Sequence, residues 1–169
     1  MSLAALAKRV AQRLKYCQTR VVFAESCTAG LLAASLARVP GISEYLCGSA
    51  VTYRNDTKHR WIGVPRQLLI SPGPVSEVVA QRMVQGVLKS TPEADLGAAV
   101  TGHLGPAAPP NQDGLVFIAI AHKSAVDHVT EIPVQRLKLQ SRTRYARQRE
   151  AAERVFDRLL VALQHTSNQ

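Results

Sequence analysis

The sequence predicts an α/β fold, a single three-layer domain in which a mixed β-sheet carries helices on both faces. Strand-like apolar runs alternate with helical patterns at first, and two strand-like runs then follow one another before a last helix. That order is typical of a mixed sheet covered on both sides. A length of 169 residues suffices for one core, and no linker or internal repeat divides residues 1–169.

The first half of the chain is predicted to supply helix, strand, helix and strand in turn. Apolar residues between Leu3 and Leu14 recur on one stripe, which indicates an amphipathic N-terminal helix. Pro40-Gly41 ends the second helix. The other predicted bounds are residues 20–24 for the first strand, 28–38 for the second helix and 46–53 for the second strand, before a polar turn or short helix.

The second half begins with a short helix at Pro65, whose ring suits a first helical turn. Ser76 is predicted to begin a long amphipathic helix that buries Val79 and Met83. The remaining predicted elements are a strand at residues 96–100, a loop rich in proline and glycine at 103–114, paired strands at 115–121 and 126–134, and a helix that ends near Leu163.

Composition favours a cytoplasmic protein. No apolar stretch approaches the roughly 20 residues that span a bilayer, and charges from Lys8 onward interrupt any signal peptide. The cysteines are odd in number and lack the spacing of metal ligands. They are Cys17, Cys27 and Cys47.

The net charge of +9 fits an anionic ligand, a nucleic acid or a solvated basic surface. Eight basic residues lie between Arg136 and Arg158, where pairs such as Arg149 and Glu153 have helical i, i+4 spacing. No aromatic residues are interleaved at the spacing that stacks on bases, which disfavours nucleic acid. We therefore interpret this run as a solvated helix face that includes one functional arginine.

Three polar clusters follow predicted strands, and they mark the candidate site. They are the stretch from Glu25 to Thr28, the pair Thr52-Tyr53 and the pair Thr101-Gly102. In sheets of this kind, ligands bind beyond the carboxyl ends of the strands. We therefore expect the three clusters to converge.

Ser26 lies where a strand turns into a helix, and two roles are open for it. It can cap the helix, or it can act as a nucleophile whose oxyanion is held by the free N–H groups of the next helix. A nucleophile needs a base, and Lys58 with Tyr53 is the more suggestive choice because no histidine has a convincing setting. A thiol nucleophile at Cys27 also stays open.

Four motifs in order resemble the CinA C-terminal domain family over nearly the whole chain. They are AESCTAG, GSAVTYRNDTKHRWIGV, PVSEVVAQRMVQGVL and AVTGHLGP. The resemblance implies a nicotinamide mononucleotide deamidase, which converts that substrate to nicotinic acid mononucleotide and ammonia in pyridine nucleotide salvage, without a cofactor. Some relatives carry a second, N-terminal domain, for which a chain of 169 residues is not expected to have room.

The resemblance also assigns roles to residues. It implies that Ser26 is the nucleophile, that Tyr53 and Lys58 activate it, and that Thr101 assists the serine or the substrate. An arginine at the start of the last helix is implied to bind the substrate. The candidate substrate-binding set comprises Glu25, Cys27, Thr28, Gly30, Gly102 and Arg144, with Arg142 as the rival of Arg144.

The chain departs from the family pattern at three places. Ala29 replaces a glycine, which is harmful if that position needs positive φ and harmless in a first helical turn. The loop of residues 103–114 has alanine and proline where glycines are usual, and a Gly-Asp pair is missing before Arg144.

The alternative to an active deamidase is a weak or inactive homologue that binds a nucleotide-like ligand or a partner. The apolar stripe of the first helix is compatible with a homodimer.

Overall fold

A computed structural model describes residues 1–123 and 129–165 of the chain. Its helices are α1 (Leu3–Cys17), α2 (Leu31–Leu36), α3 (Asn55–Ile62), α4 (Arg66–Ile70), α5 (Glu77–Ser90) and α6 (Arg144–His165), with one 3₁₀ turn at Ile42–Glu44. Its strands are β1 (Val21–Glu25), β2 (Leu46–Val51), β3 (Leu96–Gly102), β4 (Leu115–Lys123) and β5 (Val129–Lys138). None of the described helices is long and apolar enough to cross a membrane.

The five strands form one mixed sheet in the order β2-β1-β3-β4-β5. The central strand β1 pairs in parallel with β2 and β3, and Glu25 lies beside Val51 on one side and Val100 on the other. The carboxyl ends of these three strands therefore meet at one edge of the sheet. β4 is antiparallel to both β3 and β5, an arrangement that short connections between consecutive strands allow.

Alternate residues of the strands enter two separate cores, which confirms the three-layer prediction. Phe23 faces the core formed with α1, α2 and α6, while Val22 and Ala24 face the core formed with α3, α4 and α5. A strand in the middle of such a sheet is buried on both faces, and all five residues of β1 are buried.

The apolar stripe of α1 packs inside the chain. Leu6, Val10 and Leu14 belong to the same buried cluster as Phe156 and Leu159 of α6. The stripe is therefore unavailable to a second copy. The expectation of a homodimer rested on this stripe, which does not support it once it is buried.

Several predicted bounds shift because tertiary contacts decide where elements end. α2 begins at Leu31 rather than Thr28, since the preceding residues form a tight turn. β3 extends to Gly102 because β4 pairs with its end. Residues 126–128 of the last predicted strand lie outside the described residues, and the described part continues to Lys138.

Candidate active site

The turn after β1 positions Ser26 at the edge of the sheet. The Ser26 N–H donates to the Val100 carbonyl at 3.1 Å, which continues the pairing with β3. Ala29 and Gly30 then adopt positive φ values of 53° and 95°, so the chain reverses before the helix begins. Ser26 is therefore positioned by pairing with the sheet, and its side chain does not cap α2.

The carboxylate of Glu25 organises this turn from inside the protein. Glu25 is fully buried, with 0% of its surface exposed. Its two oxygens accept five hydrogen bonds of 2.7–3.1 Å, from the Thr28 and Ser49 hydroxyls and from the N–H groups of Gly30, Leu32 and Ala33. An anionic acceptor replaces the helix caps that are absent here.

This network corrects the expected position of the oxyanion site. The N–H groups at the start of α2 were predicted to hold an anion, but the Glu25 carboxylate already occupies them. Thr28 likewise donates its hydroxyl to Glu25. The Cys27 N–H, directly after Ser26, has no hydrogen bond to another described residue and becomes the candidate donor to an anion.

Ala29 replaces a glycine of the family pattern, and the sequence left open whether that position needs positive φ. Its φ is positive, and a left-handed conformation favours glycine, so alanine is strained at this position. Replacing Ala29 by glycine is expected to raise the free energy of unfolding by about 0.5–1 kcal/mol. Chemical denaturation measures the change. Ala34→Gly within α2 is the matched control and should lower stability by about 1 kcal/mol, as in any helix interior. A destabilised Ala29→Gly variant would contradict the assignment of strain.

Lys58 lies directly against Ser26. The Lys58 Nζ is 3.0 Å from the Ser26 Oγ and 2.8 Å from the Thr52 carbonyl oxygen, and only 2% of the residue is exposed. Burial lowers the pKa of Lys58 to about 8 from its ordinary value of 10.5. A substantial fraction of the amine is therefore neutral in mildly alkaline solution, and the neutral amine is able to accept the serine proton.

Cys27 is a poor nucleophile in this setting. Its side chain is buried, and desolvation raises the pKa of the thiol to about 12. Only the thiolate attacks carbonyl carbon efficiently. The protonated thiol therefore gives no support to Cys27 as the nucleophile. Ser26, in contrast, has a buried base in contact with its hydroxyl.

A cavity of about 340 Å³ opens above the serine and lysine. It is lined by Ser26, Cys27, Tyr53, Asn55, Lys58, Pro74, Val75, Arg144 and the loop from Thr101 to Ala108. Lys58 and Arg144 are its cationic side chains, and none of the described side chains that line it carries a carboxylate. The cavity is therefore suited to an anionic small molecule.

Tyr53 and Arg144 meet at the rim of this cavity. The Arg144 guanidinium donates to the Tyr53 hydroxyl at 2.5 Å and to the Gly105 carbonyl at 2.7 Å, so it joins two sides of the opening. The described hydrogen bonds of Tyr53 do not include one to Ser26 or Lys58. Arg142 does not line the cavity, so Arg144 takes the position for which the two arginines were rivals.

Thr101 and Gly102 shape the opposite wall. Thr101 is buried, and its hydroxyl donates to the Pro74 carbonyl at 2.8 Å, which holds the segment before α5 against the end of β3. Gly102 borders the cavity, and a methyl group there would clash with Val116. Their contacts make both residues part of the cavity wall.

The comparisons with known proteins agree with this architecture. A family model for the CinA C-terminal domain matches residues 3–163. The chain belongs to the CinA C-terminal domain family. The sequence resemblance is thereby confirmed.

Curated CinA-like relatives match roughly three fifths of the chain. A CinA-like protein of Geobacter metallireducens is 45% identical over 106 residues, which are 62% of this chain and 25% of that protein. A putative competence-damage inducible protein of Desulforudis audaxviator is 45% identical over 103 residues, which are 60% of this chain and 25% of that protein. The matched part is thus about a quarter of the length of these relatives.

Solved CinA structures match nearly the whole chain. A CinA superfamily protein of Klebsiella pneumoniae has a TM-score of 0.88 at 26% identity and covers 98% of this chain and 99% of its own. The competence/damage inducible protein CihA of Agrobacterium tumefaciens has a TM-score of 0.84 at 29% identity and covers 96% and 95%. The fold class is therefore shared with the CinA superfamily.

The loop that departs from the CinA pattern is fixed by two residues that sequence reasoning missed. Arg147 forms a bidentate ion pair with Asp113, with both N–O distances at 2.7 Å. It also donates to the Leu104 carbonyl at 3.1 Å and the Ser141 carbonyl at 2.8 Å. The Arg147 side chain is 13% exposed and the Asp113 side chain is 50% exposed, and the bidentate pair ties the loop to the first turns of α6.

Sequence reasoning had a partial signal for this pair. One arginine of the basic run was expected to be functional, but the candidates for that role were Arg144 and Arg142, and Arg147 was not among them. Among the residues that the structure describes, no group of three His, Cys, Asp or Glu side chains is placed to hold a metal ion.

Proposed function

We propose that this chain hydrolyses the carboxamide of nicotinamide mononucleotide to nicotinic acid mononucleotide and ammonia, through a covalent intermediate on Ser26. One observation carries the proposal. The Ser26 hydroxyl and the buried Lys58 amine are in hydrogen-bond contact at 3.0 Å, at the floor of a cavity open to small molecules. A hydroxyl beside a base of lowered pKa is an activated nucleophile.

In the first half of the reaction, neutral Lys58 takes the proton of the Ser26 hydroxyl while the oxygen attacks the amide carbon. The negative charge that develops on the carbonyl oxygen is stabilised by the Cys27 N–H. The resulting ammonium of Lys58 passes its proton to the amide nitrogen, the C–N bond breaks, and ammonia leaves. Lys58 is neutral again, and the acyl group is an ester on Ser26.

In the second half, Lys58 acts on water as it acted on the serine. It accepts a proton while the water oxygen attacks the ester carbon, and it returns that proton to the Ser26 oxygen as the ester bond breaks. The Thr52 carbonyl, 2.8 Å from the Lys58 Nζ, keeps the amine aligned in both halves. The carboxylic acid that is released then loses its proton.

The rim of the cavity supports a phosphorylated substrate. Arg144 offers a planar donor group beside the Tyr53 hydroxyl, and guanidinium groups bind phosphate through paired hydrogen bonds. A cavity of about 340 Å³ lies in the range of small-molecule sites. The distance between this rim and the serine is spanned by the ribose in our proposal.

Ammonia release from nicotinamide mononucleotide by the purified protein tests the proposal. We expect release by the wild type and a loss of at least about a thousandfold in kcat/KM for Ser26→Ala, because no covalent intermediate forms without the hydroxyl. Ser90→Ala, at the exposed end of α5, is the matched control and should be unchanged. Release that persists in Ser26→Ala would exclude this nucleophile. Binding without release by folded wild type would favour the inactive homologue.

A further inference from the structure

Among the residues that the structure describes, the buried ammonium of Lys58 has no counterion in the cavity. Its described partners are the Ser26 hydroxyl and the Thr52 carbonyl, both neutral. No carboxylate lies among the described side chains that line the cavity, and the Glu25 carboxylate is saturated by the turn. A charged group that is buried without an opposite charge is destabilised.

We propose that the site binds the carboxylate product of its own reaction more tightly than the carboxamide substrate, because that carboxylate supplies the counterion that Lys58 lacks. The inference rests on the proposed function and names its regulation. The ligand class is an aromatic carboxylate carried on a mononucleotide. The enzyme is thus restrained by its acid product.

The geometry of the acyl intermediate places the carboxylate next to the amine. The acyl carbon is bonded to the Ser26 Oγ, which is 3.0 Å from the Lys58 Nζ. Hydrolysis leaves a carboxylate at that carbon, so its oxygens lie within hydrogen-bond reach of the ammonium. The carboxamide in the same position has one carbonyl oxygen that can accept from the ammonium, but its NH₂ group is a donor and the group carries no opposite charge.

This preference depends on pH through Lys58. Burial lowers the pKa of Lys58 to about 8, so the amine is charged below that pH and neutral above it. The other titratable or charged groups around the cavity are Cys27, Tyr53, His103 and Arg144. Burial raises the pKa of Cys27 to about 12, so the thiol stays neutral. Arg144 attracts the phosphate of both ligands alike and does not discriminate between them.

Calorimetric titration of the Ser26→Ala variant tests the inference without turnover. Nicotinic acid mononucleotide and nicotinamide mononucleotide are each titrated at pH 6.5 and pH 9.5. At pH 6.5 we expect the acid to bind about ten- to a hundredfold more tightly than the amide, as a charge-assisted hydrogen bond provides. At pH 9.5 the ratio should fall to within about threefold.

The Ser26→Ala/Lys58→Met double variant assigns the effect to the amine. Methionine preserves the unbranched shape of the buried side chain but is one atom shorter and carries no charge, so the acid and amide should then bind alike at both pH values. A preference for the acid that survives in the double variant, or a ratio near one at pH 6.5 in Ser26→Ala, overturns the inference. Failure of the acid to bind at pH 6.5 overturns it as well.

The same measurements separate this inference from the proposed function. Ammonia release without any preference for the acid would leave the deamidase intact and exclude product restraint. A Lys58-dependent preference without ammonia release by the wild type would support the carboxylate site and exclude the deamidase. Product inhibition of the wild type, measured as a Ki that weakens as pH rises through about 8, provides an independent readout.

Discussion

Replacing Lys58 by methionine is expected to lower kcat/KM for amide hydrolysis by about a thousandfold or more. The amine is 3.0 Å from the Ser26 hydroxyl and serves as base and acid in both halves of the proposed reaction. Positioned acid–base groups commonly contribute between about 10² and 10⁴ in rate. Steady-state ammonia release measures the loss, and Lys89→Met at the exposed end of α5 is the matched control.

The wild-type rate should also depend on pH, because the protonation state of Lys58 changes with pH. Only neutral Lys58 accepts the serine proton, so kcat/KM should rise about tenfold per pH unit below the pKa of about 8 and level off above it. A rate that is flat between pH 6 and pH 9, or a Lys58→Met variant that retains full activity, would contradict the role of the amine.

Stability provides a second readout for Lys58. Its folded-state pKa of about 8 lies below the ordinary value of 10.5, so between these values the unfolded chain binds a proton that the folded chain does not. Wild-type stability relative to Lys58→Met should therefore rise by about 2 kcal/mol from pH 7 to pH 9.5. Urea denaturation of both proteins at the two pH values measures the difference.

Replacing Glu25 by alanine is expected to reduce the free energy of unfolding by at least about 4 kcal/mol. The carboxylate is buried and accepts five hydrogen bonds, three of them from backbone N–H groups. Each buried donor that is left without an acceptor costs about 1–3 kcal/mol. The turn that carries Ser26 would lose its organising contact, so activity should fall together with stability.

Two further variants separate the hydrogen-bond network from the loss of a charge. Glu44→Ala, at an exposed glutamate of the 3₁₀ turn, should change stability by less than about 0.5 kcal/mol. Glu25→Gln preserves shape but replaces one acceptor oxygen by a donor, so its cost should lie between those of the other two variants. A Glu25→Ala protein as stable as the wild type would exclude the organising role of this carboxylate.

Much of the fold, and the choice of Ser26 and Lys58 as the candidate catalytic pair, follows from local pattern. Ser26 lies at a strand-to-helix turn and Lys58 in a helix shortly after the next strand, and parallel pairing of β1 with β2 brings the two positions to one edge. Apolar runs in their order were enough to predict a mixed sheet and the convergence of the polar clusters at its strand ends. The distances, the burial of Lys58 and the lowered pKa depend on the packed structure and were not predictable from residue types alone.

The roles of Glu25 and Arg147 illustrate the limit of sequence reasoning. A glutamate before a serine suggests an orienting acceptor, but the number of its partners depends on the positive φ at Ala29 and Gly30. Arg147 pairs with Asp113 across 34 residues of sequence, and no periodicity connects a helix position with a proline-rich loop. Contacts between segments far apart in sequence are set by how the layers pack.

The sequence by itself determined the family, the α/β class, the three clusters at the strand ends and the nucleophile–base pair as candidates, because hydrophobic periodicity and strand order act locally. Only the tertiary structure decided that the N–H groups at the start of α2 serve Glu25, that Arg144 rather than Arg142 reaches the cavity, and that the α1 stripe is buried. In each case, several partners are possible for one donor or one surface. The packing of the layers determines which of them lies within contact distance.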